Sequence, residues 1–128
     1  MKKLLIMLVA LAGTVCHSMA YAEESLPTAI ACYQESTNSK DIDAYMACFT
    51  DDAEMIDVSR SFVGQDAIRA WAEREVIKKG EAFQHRAILE SSQGYAKTEV
   101  QWMAWVVHYF YWWNTDGKIT KMSLQYAN

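Results

Sequence analysis

The hydrophobic positions of this 128-residue chain follow three successive rhythms. From Leu4 to Val15 they form a continuous run. From Leu26 to Val76 they recur every three or four residues, the spacing that gives a helix one apolar face. From Phe83 to Tyr126 they alternate, as in strands buried on one side.

The helical region divides at its turn residues. Pro27 suits a first helical turn, where its missing N–H costs nothing, and predicts helix one from there to about Ser36. Thr37-Asn38-Ser39-Lys40 is a turn, and Asp41 caps helix two, whose apolar positions are Ile42, Tyr45, Met46 and Phe49. Ala53-Glu54-Met55-Ile56 predicts a short strand ending at Asp57, and Phe62-Val63-Gly64 closes a loop. Helix three is expected over Gln65–Lys79, burying Ile68, Trp71, Ala72 and Val76, with Glu73, Arg74, Lys78 and Lys79 outside and Gly80 as terminator. In the alternating region Phe83, His85, Ala87 and Leu89 share one face, and Ala96, Thr98, Val100, Trp102 and Ala104 share one face of the next strand. A reversal is required between Trp102 and Val106, although no Gly, Pro or Asn marks it. Trp105–Trp113 is apolar or aromatic at nearly every position, so both its faces need cover. Asp116-Gly117 turns the chain into a last strand, Ile119–Tyr126. Three helices followed by antiparallel strands define an α+β fold.

The opening run changes where the folded protein begins. Lys2 and Lys3, the apolar run and the small-x-small Ala20-Tyr21-Ala22 form a signal peptide over residues 1–22. The run is short of the ~20 apolar residues a membrane span needs, so no span is expected after its removal. Residues 23–128 are then a single exported domain, periplasmic or secreted. Loss of two lysines leaves ten basic residues against sixteen acids, which excludes a phosphate-backbone binder. Export also bears on Cys32 and Cys48. Each lies eight residues from Lys40, at the same height of an antiparallel helical hairpin. A disulfide between them is expected; two packed thiols are the alternative. The aromatic strand Trp105–Trp113 predicts a homodimer formed through the sheet, the alternatives being a binding face for another protein or a strongly bent strand that buries both faces within one chain. No cofactor or metal is implied, since the zinc-ligand spacings, phosphate-binding glycine loops and nucleophile elbows are all missing.

The order of these pieces resembles a family. An Asn-x-x-Asp turn at Asn38–Asp41, Phe49-x-Asp51-Asp52-Ala53, a strand ending in Asp57, Gly64-x-x-Ala67-Ile68-Arg69-x-Trp71 and Asp116-Gly117-Lys118-Ile119 look like the SnoaL-like branch of the nuclear-transport-factor-2-like (NTF2-like) superfamily. The resemblance implies three helices packed on a strongly curved antiparallel sheet, a cone enclosing a cavity. Its spacing is most similar to that of the ketosteroid isomerases. That likeness implies Asp57 as a proton-abstracting base and Tyr33 as donor to a substrate oxygen. The third polar group of such sites falls on Tyr109 or on Val107, depending on the hairpin length allowed.

The residues themselves support two kinds of site. A carboxylate in an apolar cavity has its charged form disfavoured, which strengthens it as a base; alternatively Asp57 is a wet strand end paired with Arg60. Tyr33 is a donor or a core tyrosine. His85, His108, Tyr109, Trp71 and Trp102 are the further candidates for the pocket, and the two histidines matter chemically only if neighbouring strands bring their rings together. Arg69 is expected to orient helix three. The function expected is cofactor-free acid–base chemistry of isomerase or cyclase type on a small hydrophobic carbonyl compound. The alternative is a non-catalytic periplasmic ligand-binding or interaction module.

Overall fold

The computed structural model describes residues 25–79 and 83–127. The expected signal peptide and the expected terminator Gly80 lie outside the described residues. Helix α1 spans Thr28–Ser39 and stops at Lys40, which adopts the left-handed conformation and returns its N–H to the carbonyls of Ser36 and Thr37. Asp41 then caps α2, Ile42–Ala47, its Oδ1 accepting the Ala44 N–H at 3.0 Å. Cys32 of α1 and Cys48 at the end of α2 form the expected disulfide, with Cα atoms 5.8 Å apart.

Phe49, expected inside helix two, instead opens strand β1, Phe49–Asp57. Sheet pairing overrides the helical spacing there: the Ile119 N–H bonds the Cys48 carbonyl at 2.8 Å, and Lys118 Nζ takes the Ala47 carbonyl at 2.6 Å. The loop expected before Gly64 contains strand β2, Arg60–Val63, paired with Glu54–Asp57. Its side chains are mostly exposed, so no apolar alternation announced it. Helix α3, Gln65–Ala72, continues as a π-helical turn, Glu73–Ile77, in which the Lys78 N–H reaches back five residues to Glu73. Arg69 ties α3 to α2 through Asp43 at 3.0 Å.

Strands β3 (Gln84–Ser92), β4 (Tyr95–Trp102), β5 (Trp105–Trp113) and β6 (Ile119–Tyr126) complete one curved sheet in the order β2-β1-β6-β5-β4-β3. Every pair is antiparallel except β1 with β6. The alternation expected in β3 is broken by register shifts after His85 and Ile88, which leave Leu89 exposed instead of inside. The unmarked reversal between β4 and β5 is a tight turn at Met103-Ala104, with Met103 at φ 52°. Where β3 turns into β4, Gly94 is needed for a close approach: a Cβ there would sit 3.0 Å from the Trp113 carbonyl oxygen.

The inner face of β5 presents Val107, Tyr109 and Tyr111 to the helices, all buried. Tyr33 sits at the centre of this core, with the rings of Tyr45, Phe49, Phe83, Tyr109 and Tyr111 around it at 5.0–6.3 Å. On the outer face Phe110 and Trp112 stack at 6.3 Å, half-buried beneath Lys97 and Lys121. Asn38 fixes the start of β3 to the helical hairpin by two hydrogen bonds with the Phe83 backbone. The packed core therefore lies toward the α1–α2 end, and the other end of the cone remains open.

Candidate functional site

At that open end a cavity of about 540 Å³ lies between the sheet and α3. Its buried wall consists of Trp71, Val76, Val107, Tyr109 and Leu124, and polar side chains from Asp57, Arg60, Glu75 and Lys79 border it. Sheet register explains how two of the candidate groups meet here. Asp57 pairs with Leu124 across β1 and β6, and Leu124 pairs with Tyr109 across β6 and β5. The three therefore stand in one row on adjacent strands, with Asp57 and Tyr109 separated by two strand spacings of about 4.8 Å each.

Asp57 is held from one side only. Arg60, which closes the β1–β2 hairpin opposite it, and the Trp71 indole N–H at 3.0 Å both donate to Oδ2. Among the described residues Oδ1 has no hydrogen-bond partner. Arg60 is also gripped by both oxygens of Glu75, at 2.7 and 3.1 Å, and Arg74 approaches Glu75 at 3.3 Å. These bonds, Arg60 first, hold the Glu75 carboxyl below its ordinary range, and they raise the Arg60 guanidinium further above its own. Asp57 thus borders the cavity and is paired with Arg60, the pairing expected by the reading of it as a strand-end acid.

Tyr109 lines the cavity. Burial pushes its hydroxyl well above the usual phenol range, with the nearby Tyr33 and Asp57 adding to the effect. Tyr33 does not line the cavity; it is fully buried behind Tyr109, where its hydroxyl accepts from that of Tyr45 at 3.1 Å. Of the two positions left open on β5, Val107 and Tyr109 both face the cavity, and only Tyr109 carries a polar group. Trp71 and Trp102 line it as well.

The histidines do not form a pair. His85 is opposite Val100 and His108 opposite Glu99, neighbouring residues of β4 whose side chains point to opposite faces. His108 lies 3.8 Å from Glu99 on the outer face. Both ring nitrogens of His85 are buried without a partner among the described residues, and desolvation lowers its pKa. Neither lines the cavity. Glu75 and Lys79 were missed as site residues, although they follow Trp71 by four and eight positions and so share its helical face. Among the described residues no three His, Cys, Asp or Glu side chains converge as metal ligands, and no helix is long and apolar enough to cross a membrane.

No protein-family model matches the chain, and neither does any curated protein. Its architecture is nonetheless shared with many solved structures. A SnoaL-like protein of unknown function from Burkholderia thailandensis is similar over 81% of this chain and 98% of that one, with a TM-score of 0.69 and 15% identity. An NTF-2 like protein of unknown function from Burkholderia xenovorans gives a TM-score of 0.62 at 16% identity, over 78% of this chain and 80% of that one. The orange carotenoid protein of Anabaena, solved binding canthaxanthin, gives 0.61 at 19% identity over 80% of this chain; the match spans 37% of that longer protein. The protein thus has the SnoaL-like, NTF2-like fold, a cone of three helices on a curved sheet. At these identities the likeness is one of fold.

Proposed function

We propose that the cavity binds a hydrophobic small molecule through a carbonyl oxygen, and that Asp57 moves a proton on the carbon beside that carbonyl. The observation that carries this reading is the row Asp57–Leu124–Tyr109, which sets a carboxylate and a phenol on either side of an apolar residue in the cavity wall. The Tyr109 hydroxyl donates to the ligand oxygen, and the adjacent C–H lies toward the unpartnered Oδ1 of Asp57. The proton passes to Oδ1, the electron pair of the C–H bond moves toward the carbonyl oxygen, and Tyr109 bonds the resulting enolate. Return of the proton to another carbon of the conjugated system gives an isomer; where the ligand carries a second carbonyl, attack of the enolate carbon on it forms the C–C bond of a ring, and the alkoxide left by its broken C=O π bond takes the proton back from Asp57, in either case without a cofactor. Arg60 and Trp71 hold Asp57 in orientation; Tyr33 acts as a positioning residue behind Tyr109.

A second reading, ligand binding without chemistry, is favoured by the Arg60 bond to Asp57, which ties the carboxylate into the pairing a plain strand-end acid would make. The binding canthaxanthin shows in the orange carotenoid protein supports an apolar ligand in either case. The Cys32–Cys48 bridge supports an exported protein, and the half-buried Phe110–Trp112 stack supports a homodimer through the outer face of the sheet.

A fused bicyclic enone tests the site. Trp71 and Trp102 line the cavity and report binding by fluorescence. Tyr109→Phe should weaken binding about fivefold, the worth of one hydrogen bond of roughly 1 kcal/mol. Unchanged affinity in that variant would refute Tyr109 as the carbonyl donor.

A further inference from the structure

The cavity does not end at its polar border. Val58, Trp102, Met103, Trp105 and Tyr126 continue the same lining outward; Trp105 and Tyr126 are 47% and 54% exposed, and their rings lie 6.5 Å apart. Two of these side chains come from turns that their residue types disfavour. Val58 has φ 59° and Met103 φ 52°, a left-handed conformation that is cheap for glycine and costly for a β-branched or long apolar residue.

Both turns are fixed in the same way. Gln125 Nε2 donates to the Val58 carbonyl at 3.1 Å, and Gln101 Nε2 donates to the Met103 carbonyl at 2.8 Å. The Val58 N–H is bonded in addition to the Leu124 carbonyl at 2.9 Å. The only other described non-glycine residue at positive φ, Lys40, ends a helix at the far side of the α1–α2 hairpin. Glycine or asparagine would make these turns without strain, so what the strained residues add is apolar surface at the cavity mouth.

We propose that these five residues form an outer apolar collar that binds the extended tail of the ligand, so that the natural ligand is a long, flexible or rod-like hydrophobe with a carbonyl at its inner end, in place of a compact ring system. The proposal rests on the cavity being the ligand site, as argued above. The lining, with Asp57 and Tyr109 beside the buried wall and the apolar collar at the mouth, fits a molecule whose carbonyl lies at the inner end and whose apolar body reaches outward past the polar border. A compact ligand would be satisfied by the buried wall alone and would leave the collar unused.

A series of 2-alkanones with chains of six, ten and fourteen carbons, titrated against the mature disulfide-bonded protein, separates the cases. The collar predicts that affinity keeps rising through the longest member, by about two- to fourfold per methylene that reaches apolar surface. Trp105→Ala and Met103→Gly should remove the gain for the longest ketone and leave the shortest unchanged. Met103→Gly should also keep or raise the melting temperature, because the strained turn is relieved. Affinity that levels off at the shortest ketone, or long-chain binding indifferent to both variants, overturns the collar while the cavity assignment stands. If no ketone binds at any length, both fall. Phosphatidylcholine vesicles and light scattering supply the competing occupants. Sedimentation with vesicles, or a change of oligomeric state, that depends on Trp105 while the ketone series shows no length dependence would assign the collar to a lipid surface or a second copy and overturn the proposal.

Discussion

Cys32 and Cys48 are sixteen residues apart in sequence, and their bridge joins the two helices whose tyrosines fill the centre of the core. Replacing both with alanine removes the cross-link without burying a new polar group, which matters because Cys48 is almost fully enclosed. For a closed loop of that length, chain entropy gives a stabilisation of about 3 kcal/mol. At roughly 4–8 °C per kcal/mol for a domain of this size, the melting temperature should fall by about 12–24 °C. Urea unfolding of the oxidised wild type and the double-alanine variant, followed by far-ultraviolet circular dichroism, measures the difference. The denaturant slope should also be steeper in the variant, because an unlinked unfolded chain exposes more surface. Reducing the wild type should reproduce most of the loss. A variant within about 1 kcal/mol of the wild type, with the same slope, would refute the reasoning.

Val58→Gly should stabilise the protein by about 0.5–1 kcal/mol, since it removes the left-handed cost of a β-branched residue and little buried surface; a loss of stability in urea would contradict the strain at that turn. Glu75 is held below the usual carboxylate value of 4.5 in the folded state, so its contribution is present above that value and is lost as pH falls through the lowered one. Glu75→Gln should therefore flatten the acid limb of the stability–pH curve, and an unaltered limb would mean that the Arg60 pairing does not matter in solution. Trp112→Glu, on the outer face of β5, should convert the proposed sheet-face dimer to a monomer in light scattering, and a wild type already monomeric would exclude that dimer.

Where the folded structure departs from its sequence pattern, long-range contacts are the cause. The helical hairpin, the α3 stripe and the aromatic strand were legible, because local periodicity and caps such as Asp41 act within a few residues. Phe49 was drawn into β1 by bonds from residues near Lys118, nearly seventy positions away, which no local window contains. The left-handed turns at Val58 and Met103 run against propensity and depend on glutamine side chains, one of them from β6. Among the residues singled out from the sequence, Asp57, Trp71, Trp102 and Tyr109 line the cavity. Tyr33 stands one layer deeper, because the Tyr109 ring occupies the space between it and the cavity. His85 and His108 are separated by strand parity: a difference of one residue in their β4 partners puts them on opposite faces.

The row Asp57–Leu124–Tyr109 is most directly tested by deuterium uptake. A bicyclic enone incubated with the protein in heavy water and followed by mass spectrometry reports proton transfer at the carbons conjugated with its carbonyl, whatever the natural ligand. The wild type should label those carbons well above the buffer rate, and Asp57→Asn, with its fold and ligand binding retained, should fall to background. Labelling at the same rate in wild type and Asp57→Asn would contradict Asp57 as the base.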